Sequence, residues 1–152
     1  ELKREMTWTA LATGEHHYGR KSFHQLISAR AADILQPDIE YTGGLSETLK
    51  IYTNAEAAGI ETITHMGGNT AWGQHFAMSM PESSLAEWFM HTNVGQPLGD
   101  RLLPGVSIPK NGTVIPSDAP GFGLEIPEDW IVPWKHGNQV RVTYLSPKDS
   151  VR

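Results

Sequence analysis

The sequence predicts an α/β fold of successive strand–helix units with parallel pairing, of the kind that closes into a barrel. Two observations carry it. Short apolar runs alternate with stretches of helical periodicity through the first two-thirds of the chain, in the order β-α-β-α-β-α-β. Four polar residues, Glu15, Asp38, His65 and Glu87, fall at or near the C-terminal ends of the four runs. They are spaced 23 (15 to 38), 27 (38 to 65) and 22 (65 to 87) residues apart. Each step fits one compact βαβ unit of about 30 residues or somewhat fewer. Such alternation implies parallel strands joined by right-handed crossovers.

Residues 1–6 read as the end of a helix, and residues 8–12 follow at once as a short buried strand. So abrupt an opening suggests a piece of a longer fold. A loop holding Gly14, Glu15, His16 and His17 comes next. Residues 22–32 read as helix, because Phe23, Leu26, Ile27 and Arg30 recur at i, i+3, i+4 and i+7. Residues 33–36 form the second strand, stopped by Pro37. After a Gly43–Gly44 turn, Ser46 is expected to N-cap a helix with Leu49, Tyr52, Ala55 and Ala58 along one side. Gly59 then closes that helix at the C′ position. Residues 60–64 make the third strand, ending at His65. A glycine loop leads to a helix over 71–80, and residues 85–90 read as the fourth strand.

Beyond residue 90 the apolar periodicity is lost. Residues 91–134 are rich in Pro and Gly, with a turn and short strand expected at 120–126. The division is therefore barrel units over 1–90, a loop-rich segment over 91–134 that packs back on the barrel or a capping domain, and a polar tail over 135–152. That tail is expected to be mobile or to add an edge strand.

The 152 residues are 39% hydrophobic and 19% charged, with a net charge of −5. That suits one ordinary domain. It argues against a nucleic-acid partner, which calls for a basic patch. No apolar run reaches the 18 residues of a membrane-spanning helix, so no membrane partner is expected. There is no cysteine, hence no disulfide framework and no Cys-based zinc site. With a charged N-terminal stretch that lacks an apolar signal region, this points to a cytoplasmic setting.

Active sites of parallel α/β barrels lie at the strand C-terminal ends. A Glu, an Asp, a His and a Glu converging there have complementary chemistry. Glu15 suits a hard divalent cation such as Mg²⁺, which prefers oxygen ligands. His65 titrates near neutrality and can act as general base or acid. Asp38 can hold the His65 ring in one tautomer. Glu87 lies in an apolar run, where a carboxylate is costly unless paired or functional; protonated, it could stabilise an oxyanion. His16 adjoins Glu15 and could face the pocket, where it would touch substrate. Each residue has a plainer alternative: Glu15 caps the next helix, Asp38 is a turn residue, His65 is a structural hydrogen-bonded histidine. The joint pattern at strand ends carries the functional reading. His24 and His75 read as solvated or at the core edge, and Trp72 and Trp88 as packing residues.

The stretches Thr13-Gly14-Glu15-His16, Leu35-Gln36-Pro37-Asp38, Gly43-Gly44-Leu45, His65 with its glycine loop, and Ala86-Glu87-Trp88-Phe89-Met90 resemble the enolase superfamily, mandelate racemase subgroup. Within it they are most similar to the L-rhamnonate dehydratases. Residues 106–112 and 120–123 resemble the C-terminal segment of that group. The resemblance implies the C-terminal half of a modified TIM-type (β/α)7β barrel, with about four parallel strands here and a separate capping domain. It implies Mg²⁺ held by three carboxylates on successive strands, Glu15 matching the third and the first two preceding residue 1. It implies a His65–Asp38 dyad and a last-strand glutamate, Glu87. The implied reaction is loss of water from an aldonic acid to give a 2-keto-3-deoxy acid. The implied partners are a sugar-acid substrate and either a second copy of the chain or the remainder of the barrel. Two alternatives stay open: a non-catalytic half-barrel that acts by association, and a different dehydratase or racemase of the same superfamily.

Overall fold

The computed structural model of the chain describes residues 1–83, 85–89 and 102–131. In chain order its elements are α1 (Leu2–Glu5), β1 (Ala12–Thr13), α2 (Gly19–Ser28), β2 (Ile34–Leu35), α3 (Ile39–Thr42), α4 (Leu45–Ala57), β3 (Glu61–Thr62) and α5 (Ala71–Ser79). The strands form one parallel sheet in the order β1-β2-β3. Ala12 lies opposite Ile34, and Ile34 opposite Glu61; Thr13 lies opposite Leu35, and Leu35 opposite Thr62. The β2–β3 register persists beyond the formal strands, to a parallel bridge between Asp38 and His65. Side chains alternate across a strand. Ile34, Gln36 and Asp38 therefore share one face of the sheet with Glu61, Ile63 and His65.

The opposite face is buried. Leu35 packs with Phe23, Ala32, Ile51, Ala55 and Ile60, which joins the sheet to α2 and α4. Phe23, Leu35 and Ile51 are fully buried; each such side chain contributes roughly 1.5–3 kcal/mol. A second cluster of Ile39, Tyr52 and Phe76 joins α3, α4 and α5, with Trp72 and Met80 against it. The Tyr52 and Phe76 rings meet edge-to-face at 5.9 Å.

Several elements differ from expectation. The run at 8–12 is not a buried strand: only Ala12–Thr13 pairs, both residues are exposed, and Trp8 is 80% exposed. Among the described residues β1 is the sheet edge, so nothing covers its outer side. Its upstream residue Leu11 is held instead by Asp33, whose N–H donates to Leu11 O (2.8 Å) and whose Oδ2 accepts from Leu11 N (3.0 Å). α2 starts and ends earlier than 22–32, and Arg30 turns the chain out of it with φ +45°.

α4 is capped at Gly44, not Ser46, which lies inside the first turn. Its buried face is Thr48, Ile51, Tyr52 and Ala55, while Leu49 stays exposed. The face is rotated because α4 must serve both apolar clusters. Gly59 follows the helix end with φ +66°, as anticipated.

The fourth strand is absent over 85–89. There the backbone is bonded to the preceding loop rather than to β3: Gly68 N donates to Glu87 O (2.7 Å), and Asn69 pairs with both N and O of Phe89 (2.7 Å each). Met90 lies outside the described residues. No strand forms at 120–126; the expected turn does, closed by Gly123 N to Pro120 O at 3.3 Å. The described part of the C-terminal segment touches α5, through Gln74 Nε2 to Ser107 O (2.8 Å) and through Phe122 against Trp72 and His75. The tail at 135–152 lies outside the described residues.

Candidate active site

The first loop of the site is set by Gly14. It has φ +138°, and a Cβ there would come within 2.7 Å of the buried Phe23 ring. Only glycine lets the chain turn this closely over α2. His17 N closes the turn on Gly14 O at 2.9 Å, leaving Glu15 and His16 at the strand end. Glu15 does not cap α2, whose N-cap is Tyr18 with no side-chain bond. The orphan amide of Arg20 is served instead by Glu47 Oε1 at 2.9 Å.

The second strand delivers Asp38, which is both the turn residue and the partner of a histidine. Its Oδ1 accepts from the N–H groups of Glu40 (2.8 Å) and Tyr41 (3.0 Å), capping α3. Its Oδ2 lies 2.9 Å from His65 Nδ1. The third strand delivers His65, whose own N–H donates to Pro37 O at 3.1 Å. With Nδ1 committed to Asp38, His65 Nε2 faces Glu15 Oε2 at 3.4 Å, and Glu15 Oε1 lies 3.3 Å from His16 Nε2. Exposure rises along this chain of groups, from 9% for the Asp38 side chain through 17% for His65 and 49% for Glu15 to 74% for His16. The pair is therefore held from behind and opens toward solvent at Nε2.

Glu87 reaches the same place from the far end. Its Oε2 accepts the Met66 N–H at 2.7 Å, and its Oε1 lies 3.4 Å from Gln36 Nε2. Met66 follows His65 directly and sits at φ +51°, a left-handed conformation that costs a non-glycine residue about 1–2 kcal/mol. Gly68 N donates to Glu87 O, and a Cβ on Gly68 would approach that oxygen to 2.8 Å. The carboxylate and the carbonyl of Glu87 thus both fix the loop after His65. All five expected residues are gathered at the strand ends, Glu87 through Gln36 and Met66 rather than by touching His65.

Two contributors were not anticipated. Gln36 shares the face of Asp38 by strand alternation, and that period was the available signal. Met66 carries no sequence signal, because its role is a backbone N–H in an unusual conformation. Beside the site, burial and the neighbouring Asp38 charge hold the Glu40 carboxyl above its usual range.

Among the described residues, Glu15 is the member of the site whose half-exposed carboxylate accepts no amide N–H, as a hard cation ligand would be. Asp38 and Glu87 are engaged by N–H groups. Among the described residues no three metal-binding side chains gather into a site.

Residues 1–130 match the enolase C-terminal domain-like family. The chain is 33% identical over 130 residues to an L-rhamnonate dehydratase of Saccharopolyspora erythraea, covering 83% of this chain and 33% of that protein. Among solved structures it resembles rhamnonate dehydratase from Gibberella zeae complexed with Mg, with TM-score 0.73 and 32% identity over 84% of this chain and 32% of the other. It also resembles L-talarate dehydratase from Polaromonas sp. JS666 complexed with Mg and L-glucarate, with TM-score 0.64 and 28% identity over 82% of this chain and 32% of the other. The chain spans about one third of the length of the relatives it matches. The parallel βα units, the strand-end site and the match over residues 1–130 make this chain a member of the enolase C-terminal domain-like family, in the enolase/mandelate racemase superfamily.

Proposed function

We propose that the chain supplies the acid–base part of a Mg²⁺-dependent acid-sugar dehydratase, converting L-rhamnonate or a related aldonate to its 2-keto-3-deoxy acid. The observation that carries this is the 2.9 Å contact between Asp38 Oδ2 and His65 Nδ1, with Nε2 turned to the open side. An Nδ1–H donating to the carboxylate leaves a lone pair on Nε2, the state a general base needs. Asp38 is itself fixed by two backbone amides, so the ring has one orientation. His65 Nε2 takes the proton from the carbon next to the substrate carboxylate. It then returns that proton to the hydroxyl leaving the adjacent carbon. Water departs, and the resulting enol becomes the 2-keto acid.

Glu15 offers one carboxylate to the metal; the other ligands have to come from outside the described residues. Bound there, Mg²⁺ would stabilise negative charge on the substrate carboxylate as the α-proton leaves. Glu87 holds Met66, and so the His65 loop, and as an acid it could meet developing oxyanion charge. His16, next to Glu15 at the mouth, contacts the substrate. The sheet edge at β1 calls for a covering partner, either the remainder of the barrel or a second copy.

His65→Asn in the intact enzyme is the test. Turnover of L-rhamnonate and related acids should fall below detection, with the melting temperature little changed. Retained turnover would remove His65 from the mechanism. A protein that turns over none of the acids, and stays a monomer without binding Mg²⁺, would favour the non-catalytic half-barrel.

A further inference from the structure

Three aromatic rings line up at the mouth of the site. Tyr41, on α3, stacks on His16 with ring centroids 6.2 Å apart and planes 18° from parallel. Tyr18 also contacts Tyr41, with centroids 6.4 Å apart and planes tilted by 35°. These spacings are those of interacting aromatic pairs. The rings come from two successive strand-end loops and are tied to opposite halves of the acid–base cluster. Tyr41 N–H donates to Asp38 Oδ1 at 3.0 Å, while His16 Nε2 lies 3.3 Å from Glu15.

The stack is not core packing. Tyr18 is 67% and Tyr41 47% exposed, whereas Phe23, the packing aromatic of α2, is fully buried. Among the described residues neither phenol hydroxyl has a hydrogen-bond partner. The rings therefore present exposed surface, and two hydroxyls without a partner among the described residues, next to His16, which Glu15 joins to His65 Nε2. That combination suits a polyhydroxylated chain, whose C–H bonds lie against rings while its hydroxyls seek donors and acceptors.

We propose that His16, Tyr41 and Tyr18 form a wall that receives the non-reacting end of the sugar acid, with Tyr41 as the specificity-determining residue. The assignment rests on the proposed acid–base role of His65. The acid's reacting end lies at His65, so only acids long enough to extend past it reach Tyr41 and Tyr18. A three-carbon hydroxy acid stops short of the two tyrosines; a six-carbon aldonate lies along them.

The test uses the intact enzyme with Mg²⁺, comparing glycerate with six-carbon aldonates by α-proton exchange in deuterated water and by calorimetric binding. Tyr41→Ala should weaken binding and raise KM for the six-carbon acids about tenfold more than for glycerate, the worth of one good aromatic contact. Tyr41→Phe keeps the ring and should recover most of that selectivity, the remainder being the hydroxyl. Tyr18→Ala guards against misfolding of the Tyr41 variant, since Tyr18 is more exposed than Tyr41; it should show the same length dependence at about threefold. If His65→Asn abolishes exchange but both tyrosine variants affect short and long acids equally, the wall is refuted and the acid–base reading stands. If the wild-type enzyme exchanges no α-proton of any acid, the acid–base reading falls and the wall falls with it.

Discussion

Replacing Asp38 by Asn separates the two jobs of that residue. Asn caps helices as well as Asp does, so its one oxygen is expected to keep the Glu40 and Tyr41 amides now held at 2.8 and 3.0 Å. Its NH₂ group then takes the place of Oδ2, 2.9 Å from His65 Nδ1. Two donors cannot face each other there, so the imidazole proton moves to Nε2. Glu15 Oε2, 3.4 Å away, accepts it and stabilises the wrong tautomer. A base with its lone pair turned backward loses about 10⁴-fold in rate, the cost seen when an Asp–His pair is altered in this way. That corresponds to roughly 5.5 kcal/mol of barrier. The fold should lose less than about 1 kcal/mol, because the cap survives.

Asp38→Ala provides the contrast. It removes the cap, at about 1 kcal/mol, and leaves a half-buried N–H unpaired, at about 1–3 kcal/mol. Steady-state kinetics, thermal unfolding and ¹⁵N chemical shifts of His65 read the three quantities. An Asn variant within tenfold of wild-type kcat/KM, or one whose His65 stays protonated at Nδ1, would refute the orienting role.

The remaining predictions concern the scaffold. Met66→Gly relieves a left-handed residue but frees the unfolded chain, so stability should stay level or rise by up to about 1 kcal/mol; a clear loss by chemical denaturation would show that the Met66 side chain matters more than its backbone. Asp33 is held below its usual range by hydrogen bonds from Lys3 and from Leu11 N, with burial opposing. Its contribution is present above the unfolded carboxylate pKa of about 3.9 and is lost as pH falls through the lower folded value. Asp33→Asn should therefore flatten the acid limb of a melting-temperature profile. Glu40 has the opposite sign, raised by burial and then by Asp38. Its contribution is present below the unfolded value and is lost as pH rises through the raised folded one. Glu40→Gln should melt higher than wild type at pH 7 and converge with it near pH 4.

The order of elements was legible because it rests on local rules. Apolar runs and helical periodicity located β2, β3 and the helices α2, α4 and α5, and Gly59 marked a helix end by its backbone freedom alone; the first run met its strand only at Ala12, and the fourth formed no strand over 85–89. The positions of Glu15, Asp38 and His65 at strand ends followed from the same spacing. Boundaries and burial did not, since these depend on what lies next to a segment. Trp8 looked like core and is exposed because β1 has no outer neighbour among the described residues. Leu49 looked buried, yet α4 turns Ile51 toward one cluster and Tyr52 toward the other.

The sequence by itself determined which chemical groups reach the strand ends and in what order. Only the tertiary structure decided how they connect: Asp38 shared between a helix cap and His65, Glu87 acting on the Met66 amide, and Tyr41 stacked on His16. The physical reason is range. Periodicity is written residue by residue along the chain, whereas a 2.9 Å contact between residues 27 apart exists only once the sheet register has brought their backbones side by side.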